Sequence, residues 1–242
     1  QIVNFSPSRR QNVGMAALLE VVVWNVDDAR RAAGGGADRL MLVGELRGQG
    51  ISPPPDLVQE VLNRVEIPVR PLLRLREGYR TDGGEAVRLQ GLLANYLELG
   101  VDGVVLGFLD GYARVDVEVV QTLTERGDFT WTFDRAIDRC LDTDQAWQTL
   151  QGFAGLDGVQ TGGSARGLSA GLDELIARAT AHREQAELMI AGGGLRGDQI
   201  PWLLRAGVSQ FQIGPQARPY GQPLANIDSS LVHGWRVLLD RN

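Results

Sequence analysis

LGVDGV, residues 99–104, is the stretch on which the fold turns. A glycine closes a helix-like run, an aspartate follows, and an apolar segment begins. Three near-copies stand elsewhere in the chain: GGADRL at 35–40, GLDGV at 155–159 and AGVSQF at 206–211. Each reads as a helix C-terminus ended by glycine and followed by entry into a buried strand. With Asp38, Asp102, Asp157 and Ser209 taken as equivalent, the spacings are 64, 55 and 52 residues. Each interval has room for two βα units, and repetition of this kind is the first thing to test in a sequence.

The second strand of each unit pair is also visible. LLEVVV (18–23) precedes the first phrase, and IPVRPLLRL (67–75), FTWTFD (129–134) and AELMIAG (186–192) fall between the others. Strands are expected near 18–23, 38–43, 68–75, 102–107, 129–134, 156–161, 187–191 and 208–213. Amphipathic stretches separate them, near 26–34, 54–64, 84–99, 116–126, 143–153, 169–182, 196–206 and 226–240. SPPPD (52–56) starts one of these helices, with proline at its first turn. Short apolar strands alternating with helices argue for a parallel sheet, and eight such units for a closed (β/α)8 TIM barrel over residues 15–242. An open doubly wound sheet fits less well, because no GxGxxG follows the first strand. Residues 1–14 read as an extension ahead of the fold: a tag, upstream reading-frame sequence, or a native disordered arm.

Composition narrows the function. The 242 residues carry a formal net charge of −6, which disfavours a nucleic-acid partner. No apolar run approaches the roughly 20 residues of a membrane helix. Cys140 is the single cysteine, so no internal disulfide forms, and a cytoplasmic location is expected. All 24 basic residues are arginine. Without lysine there is no Schiff-base aldolase chemistry and no internal pyridoxal aldimine. Two histidines, His182 and His233, argue against a multi-histidine metal centre.

In such barrels the functional groups gather at the C-terminal ends of the strands. Strand 1 brings Glu20, Trp24 and Asn25, and strand 2 brings Met41, Val43 and Glu45. Alternation places Thr130, Thr132 and Asp134 on one face of strand 5, with Trp131 and Phe133 facing the helices. Asp134 then points into the mouth, as a general base or in an ion pair with Arg74 or Arg135. Arg74 and Arg76 lie two apart on strand 3 and are candidates to grip a carboxylate or phosphate, with a solvated surface role the equal alternative for Arg76. Thr161, Gly162 and Gly163 end strand 6, and Gly192 and Gly193 follow strand 7. Their amides are candidates for holding an anion, or the glycines simply permit tight turns. Glu20 needs a partner if buried, and Arg39 and Arg70 are near enough to form a structural pair. WLLRAG (202–207) and VHGWRVLLD (232–240) are apolar enough for a homo-oligomer contact, and core packing accounts for them equally.

LLEVVVWNVDDARRAAGGGADRLMLVGELRGQGISPP (18–54), TFDRAID (132–138), VQTGGSARG (159–167) and MIAGGGLR (189–196) together resemble the CutC copper-homeostasis family. The resemblance covers about residues 18–215 and implies a (β/α)8 barrel and a link to copper homeostasis. It also shows departures. The family's strand-1 and strand-2 cysteines are Val22 and Val43 here, and its strand-5 histidine is Asp134. Copper(I) favours thiolate and thioether ligands, and only Met41, Met189 and Cys140 remain in this stretch. Two readings follow: a CutC-like protein of copper homeostasis, and a barrel enzyme acting on a small anionic or phosphorylated metabolite. In the second, the glycine loops hold the anion, Arg74 orients it, and Asp134 is general base or hard-metal ligand.

Overall fold

The computed structural model describes residues 17–44, 50–125 and 127–241. The expected extension 1–14 and Glu45 lie outside the described residues. The chain runs β1 (Leu18–Val23), α1 (Val26–Gly34), β2 (Arg39–Leu42), α2 (Pro55–Leu62), β3 (Val69–Pro71), α3 (Gly83–Glu98), β4 (Gly103–Leu106) and α4 (Val117–Thr124). It continues β5 (Thr130–Phe133), α5 (Thr143–Leu150), β6 (Leu156–Thr161), α6 (Leu168–Ala181), α7 (Arg183–Leu188), β7 (Met189–Ala191), α8 (Ile200–Arg205), β8 (Gln210–Ile213) and α9 (Ser229–Asp240).

The eight strands form one parallel sheet in the order β3-β2-β1-β8-β7-β6-β5-β4. A parallel bridge between Leu72 and Val105 joins its two ends, and Leu73 N–H donates to the Val105 carbonyl at 2.7 Å. The sheet is therefore a closed (β/α)8 barrel, as the repeated phrases predict.

Two elements differ from the sequence expectation. The register of β3 with β2 ends at Pro71, whereas strand was expected through residue 75. Proline cannot donate to the ladder. Beyond it the loop before α2 takes over the pairing: Ser52 N–H donates to the Arg74 carbonyl, and Arg74 N–H donates to Ser52 Oγ, each at 2.7 Å. The segment 183–188 is a short helix, α7, and strand begins only at Met189.

The main core lies between sheet and helices. Leu19, Val21, Val104, Trp131, Phe133, Val159 and Phe211 point outward from the strands into it, all fully buried. The barrel interior is unusually polar, since branched apolar side chains normally fill it. A small apolar cluster of Met41, Val43, Leu72 and Val105, with Val22 and Trp24, occupies part of it. Below lies Arg70, which bonds both oxygens of Asp157 at 2.6 Å, reaches Asp102 at 2.9 Å, and donates to Thr130 and Thr132. Glu20 pairs with Arg39 at 2.6 Å, as expected, while Arg70 takes the other carboxylates instead.

Candidate functional site

The strands deliver their C-terminal ends to one face, and a cavity of about 360 Å³ opens there. Its wall includes Trp24 after β1, Met41 and Val43 from β2, Tyr79 after β3, Asp134, Arg135 and Arg139 after β5, and Gly193 and Gly194 after β7. Gln160 from β6, Gln212 from β8 and Arg218 beyond it also line it.

Asp134 is the hinge of one side. It ends β5 and caps the 3-10 turn Arg135–Arg139, accepting from Ala136 N–H at 2.9 Å through Oδ1. Its Oδ2 takes a close ion pair from Arg74. Gly107 makes room for this: a Cβ there would overlap Asp134 Oδ1. Tyr79 lies over the Arg74 guanidinium, 4.8 Å from ring centroid to Arg74 Cζ. Burial, with Asp134 adding to it, pushes the Tyr79 hydroxyl well above its ordinary value. Tyr79 therefore stays protonated and can donate to a ligand.

Asp138 organises the next sector. Its carboxylate accepts from Thr161 Oγ1 at 2.7 Å and from Gly162 N–H at 3.0 Å, and pairs with Arg135 Nε at 2.8 Å. Gly163 N–H is used by Thr161 Oγ1 at 2.9 Å. The anion held by the Gly162 amide and the Thr161 hydroxyl is thus the chain's own Asp138, and the Gly163 amide is spent on the Thr161 hydroxyl. Gly193, at φ +76°, is packed against Arg135, and a Cβ at this position would overlap the guanidinium. Arg135 is therefore fixed at the cavity wall by Asp138 on one side and the glycine loop on the other.

Arg218 and Asp28 form a third pair, 2.8 Å apart, with no exposed side-chain surface on either. Asp28 also accepts from Ile227 N–H at 2.9 Å, so the pair ties α1 to the segment before α9. Arg218 stacks on Trp24 and so fixes that wall of the cavity. Burial lowers the Arg218 pKa, with Asp28 opposing.

Among the expected residues, Asp134, Arg135 and Gly193 line the cavity. Arg74 stands behind Asp134 and Tyr79. Arg76 turns away, half exposed, to Glu85 at 3.1 Å and Asp82 at 3.5 Å. Thr161 and Gly163 face a separate small cavity of about 80 Å³ beside Trp147 and Arg178. Gly162 is bonded to Asp138, and Gly192 N–H donates to the Thr161 carbonyl at 3.0 Å. Tyr79, Arg139, Gln160 and Gln212 were not singled out from sequence. The signal for Arg139 was its place four residues after Arg135, on the same turn. For the glutamines it was their inward phase on β6 and β8.

The CutC family model matches residues 17–214. The chain belongs to the CutC family. A CutC family protein of Klebsiella pneumoniae is 32% identical over 199 residues, covering 80% of this chain and 78% of the relative. One from Salmonella paratyphi B is 33% identical over 200 residues, with the same coverages. The crystal structure of CutC from Streptococcus agalactiae superposes with a TM-score of 0.73 at 22% identity, covering 82% of this chain and 98% of that one. Phosphoribosyl anthranilate isomerase from Thermococcus kodakaraensis shares the barrel, with a TM-score of 0.62 at 14% identity and coverages of 93% and 100%.

The donor set fits copper poorly. Val22 and Val43, where the family resemblance expects cysteines, do meet at the mouth, but as apolar wall. Met41 Sδ lies inside the barrel and already accepts from Gln160 and Gln212. Met189 packs in the outer core. Cys140 is half-buried, and burial, followed by Asp110 and Asp138, pushes its thiol up to about 11. Among the described residues, no three His, Cys, Asp or Glu side chains come together as a metal site.

Proposed function

We propose that this CutC-family barrel binds a small organic anion in its mouth, and that direct copper binding is not its activity. The supporting observation is one of charge pairing. Arg74, Arg135 and Arg218 each have a carboxylate: Asp134, Asp138 and Asp28. Arg139 lines the same cavity, is exposed, and has no hydrogen-bond or ion-pair partner among the described residues. A fixed Arg135 and an uncommitted Arg139 on one short turn form a seat for a carboxylate or similar group. The cavity volume lies within the range of small-molecule sites, about 300–1,000 Å³.

The test is thermal unfolding of the protein with a panel of small carboxylates, inorganic phosphate, and Cu(I) under reducing conditions. A ligand at about 100 times its dissociation constant stabilises by about 2.7 kcal/mol. Stabilisation by a carboxylate that Arg139→Ala removes is expected. Stabilisation by Cu(I) alone would overturn the reading.

An enzymatic extension draws support from Asp134 and Tyr79, a carboxylate and a protonated phenol on one cavity wall. Asp134 serves as proton acceptor and Tyr79 as donor. For an anion that the protein converts, Asp134→Asn should abolish turnover. Unchanged turnover would remove Asp134 from that role.

A further inference from the structure

The floor of the cavity carries information about the rest of the ligand. Glu20 on β1 and Gln212 on β8 are register partners, and Gln160 reaches them from β6. Glu20 is fully buried, Gln160 is 2% exposed and Gln212 8%. Glu20 Oε2 is taken by Arg39. Glu20 Oε1 accepts from Gln160 Nε2 at 2.9 Å and from Gln212 Nε2 at 2.8 Å. The same two nitrogens approach Met41 Sδ at 3.2 and 3.3 Å.

These contacts decide which way each amide faces. An amide nitrogen has two hydrogens, and here one goes to the Glu20 carboxylate and the other to the Met41 sulfur. Turning either amide over would set its carbonyl oxygen against an acceptor-only carboxylate, with no proton between them. The amide donors are thus spent inside the barrel. Gln160 Oε1 and Gln212 Oε1 are left without a hydrogen-bond partner among the described residues, and both side chains line the cavity. Oriented amide acceptors on a cavity floor select for hydrogen-bond donors, because a ligand without donors leaves them unpaired.

We infer that Gln160 and Gln212 form an acceptor pair that reads donor groups at the inner end of the ligand, with Glu20 as the positioning residue. Resting on the anion reading of the mouth, this names the ligand class: a small hydroxy- or amino-carboxylate. Its carboxylate lies toward Arg135 and Arg139, and its hydroxyl or amine toward the glutamines.

The experiment compares three probes of one shape by titration calorimetry: 4-hydroxybutyrate, 4-aminobutyrate and pentanoate. The first two should bind at least about tenfold tighter than pentanoate, the worth of roughly one satisfied hydrogen bond. In Gln160→Met and in Glu20→Gln this ratio should fall toward one while pentanoate affinity holds. A loss of stability alone does not move the ratio, and the wild-type ratio stands even if a variant fails to fold. Equal binding of all three probes, abolished by Arg139→Ala, would overturn the donor inference and leave the anion site standing. No binding of any probe would overturn the anion site itself.

Discussion

Arg218 illustrates how single residues shape this mouth. It is buried against Trp24 and pairs with an equally buried Asp28. Arg218→Met leaves Asp28 as an uncompensated buried charge, a change that costs about 3–5 kcal/mol. Urea unfolding should show a loss of this size, and a loss under about 1 kcal/mol, the level of an exposed pair, would contradict the buried pairing. Cys140 gives a chemical test at the same scale. With its thiol pushed up to about 11 by burial first and by Asp110 and Asp138 after it, little thiolate exists at neutral pH. Alkylation by iodoacetamide should be slow in the native protein at pH 8, rise steeply with pH, and become fast on unfolding. Native and unfolded rates that match at pH 8 would show the thiol to be unperturbed. The alternation of strand 5 makes Asp134 readable from sequence alone, since period two puts it beside Thr130 and Thr132. Gln160 and Gln212 are not readable in this way. Their role depends on Glu20, which is 140 and 192 positions distant.

At the scale of elements, the helices begin on the face that carries the mouth, and short polar side chains start several of them. Asn25, Asp82, Asp116, Asp142 and Asp228 each accept a backbone N–H in the first turn of α1, α3, α4, α5 and α9. The Glu85 backbone N–H, above all, holds the Asp82 carboxyl below its usual value, and Arg76 adds to this. A carboxylate with a depressed folded pKa adds stability above the unfolded value of about 3.9, and that stability is lost as pH falls through the folded pKa. Asp82→Asn keeps the cap and drops the charge. Its deficit relative to the wild type should therefore be present at neutral pH and close in acid, when urea midpoints are followed between about pH 3 and pH 7. A deficit that stays constant across that range would assign Asp82 no ionic contribution. The sequence placed the eight strands well because glycine-closed helices recur at regular spacing. It overextended β3 because the Ser52 exchange with Arg74 comes from a separate loop. It missed α7 because six residues of helix leave too short a pattern to separate from a strand approach.

For the whole molecule, closure of the barrel brings residues from separate strands to one cavity. The repeated phrases made the closed barrel readable without any partner contact. The TGG loop shows the limit of the same approach. Its glycines suggest an anion cradle, yet the carboxylate on Gly162 belongs to Asp138, a pairing set by the tertiary fold. In WLLRAG and VHGWRVLLD, Leu203, Val232 and Leu239 are buried in the core, while Trp202 stays outside beneath Arg205. No described helix is long and apolar enough to cross a membrane. The central claim concerns the mouth, and a crystal structure of the protein soaked with 4-hydroxybutyrate tests it most directly. The account predicts the carboxylate against Arg135 and Arg139 and the hydroxyl on the carbonyl oxygens of Gln160 and Gln212. An empty mouth at saturating ligand, or a ligand bound away from both arginines, would contradict it.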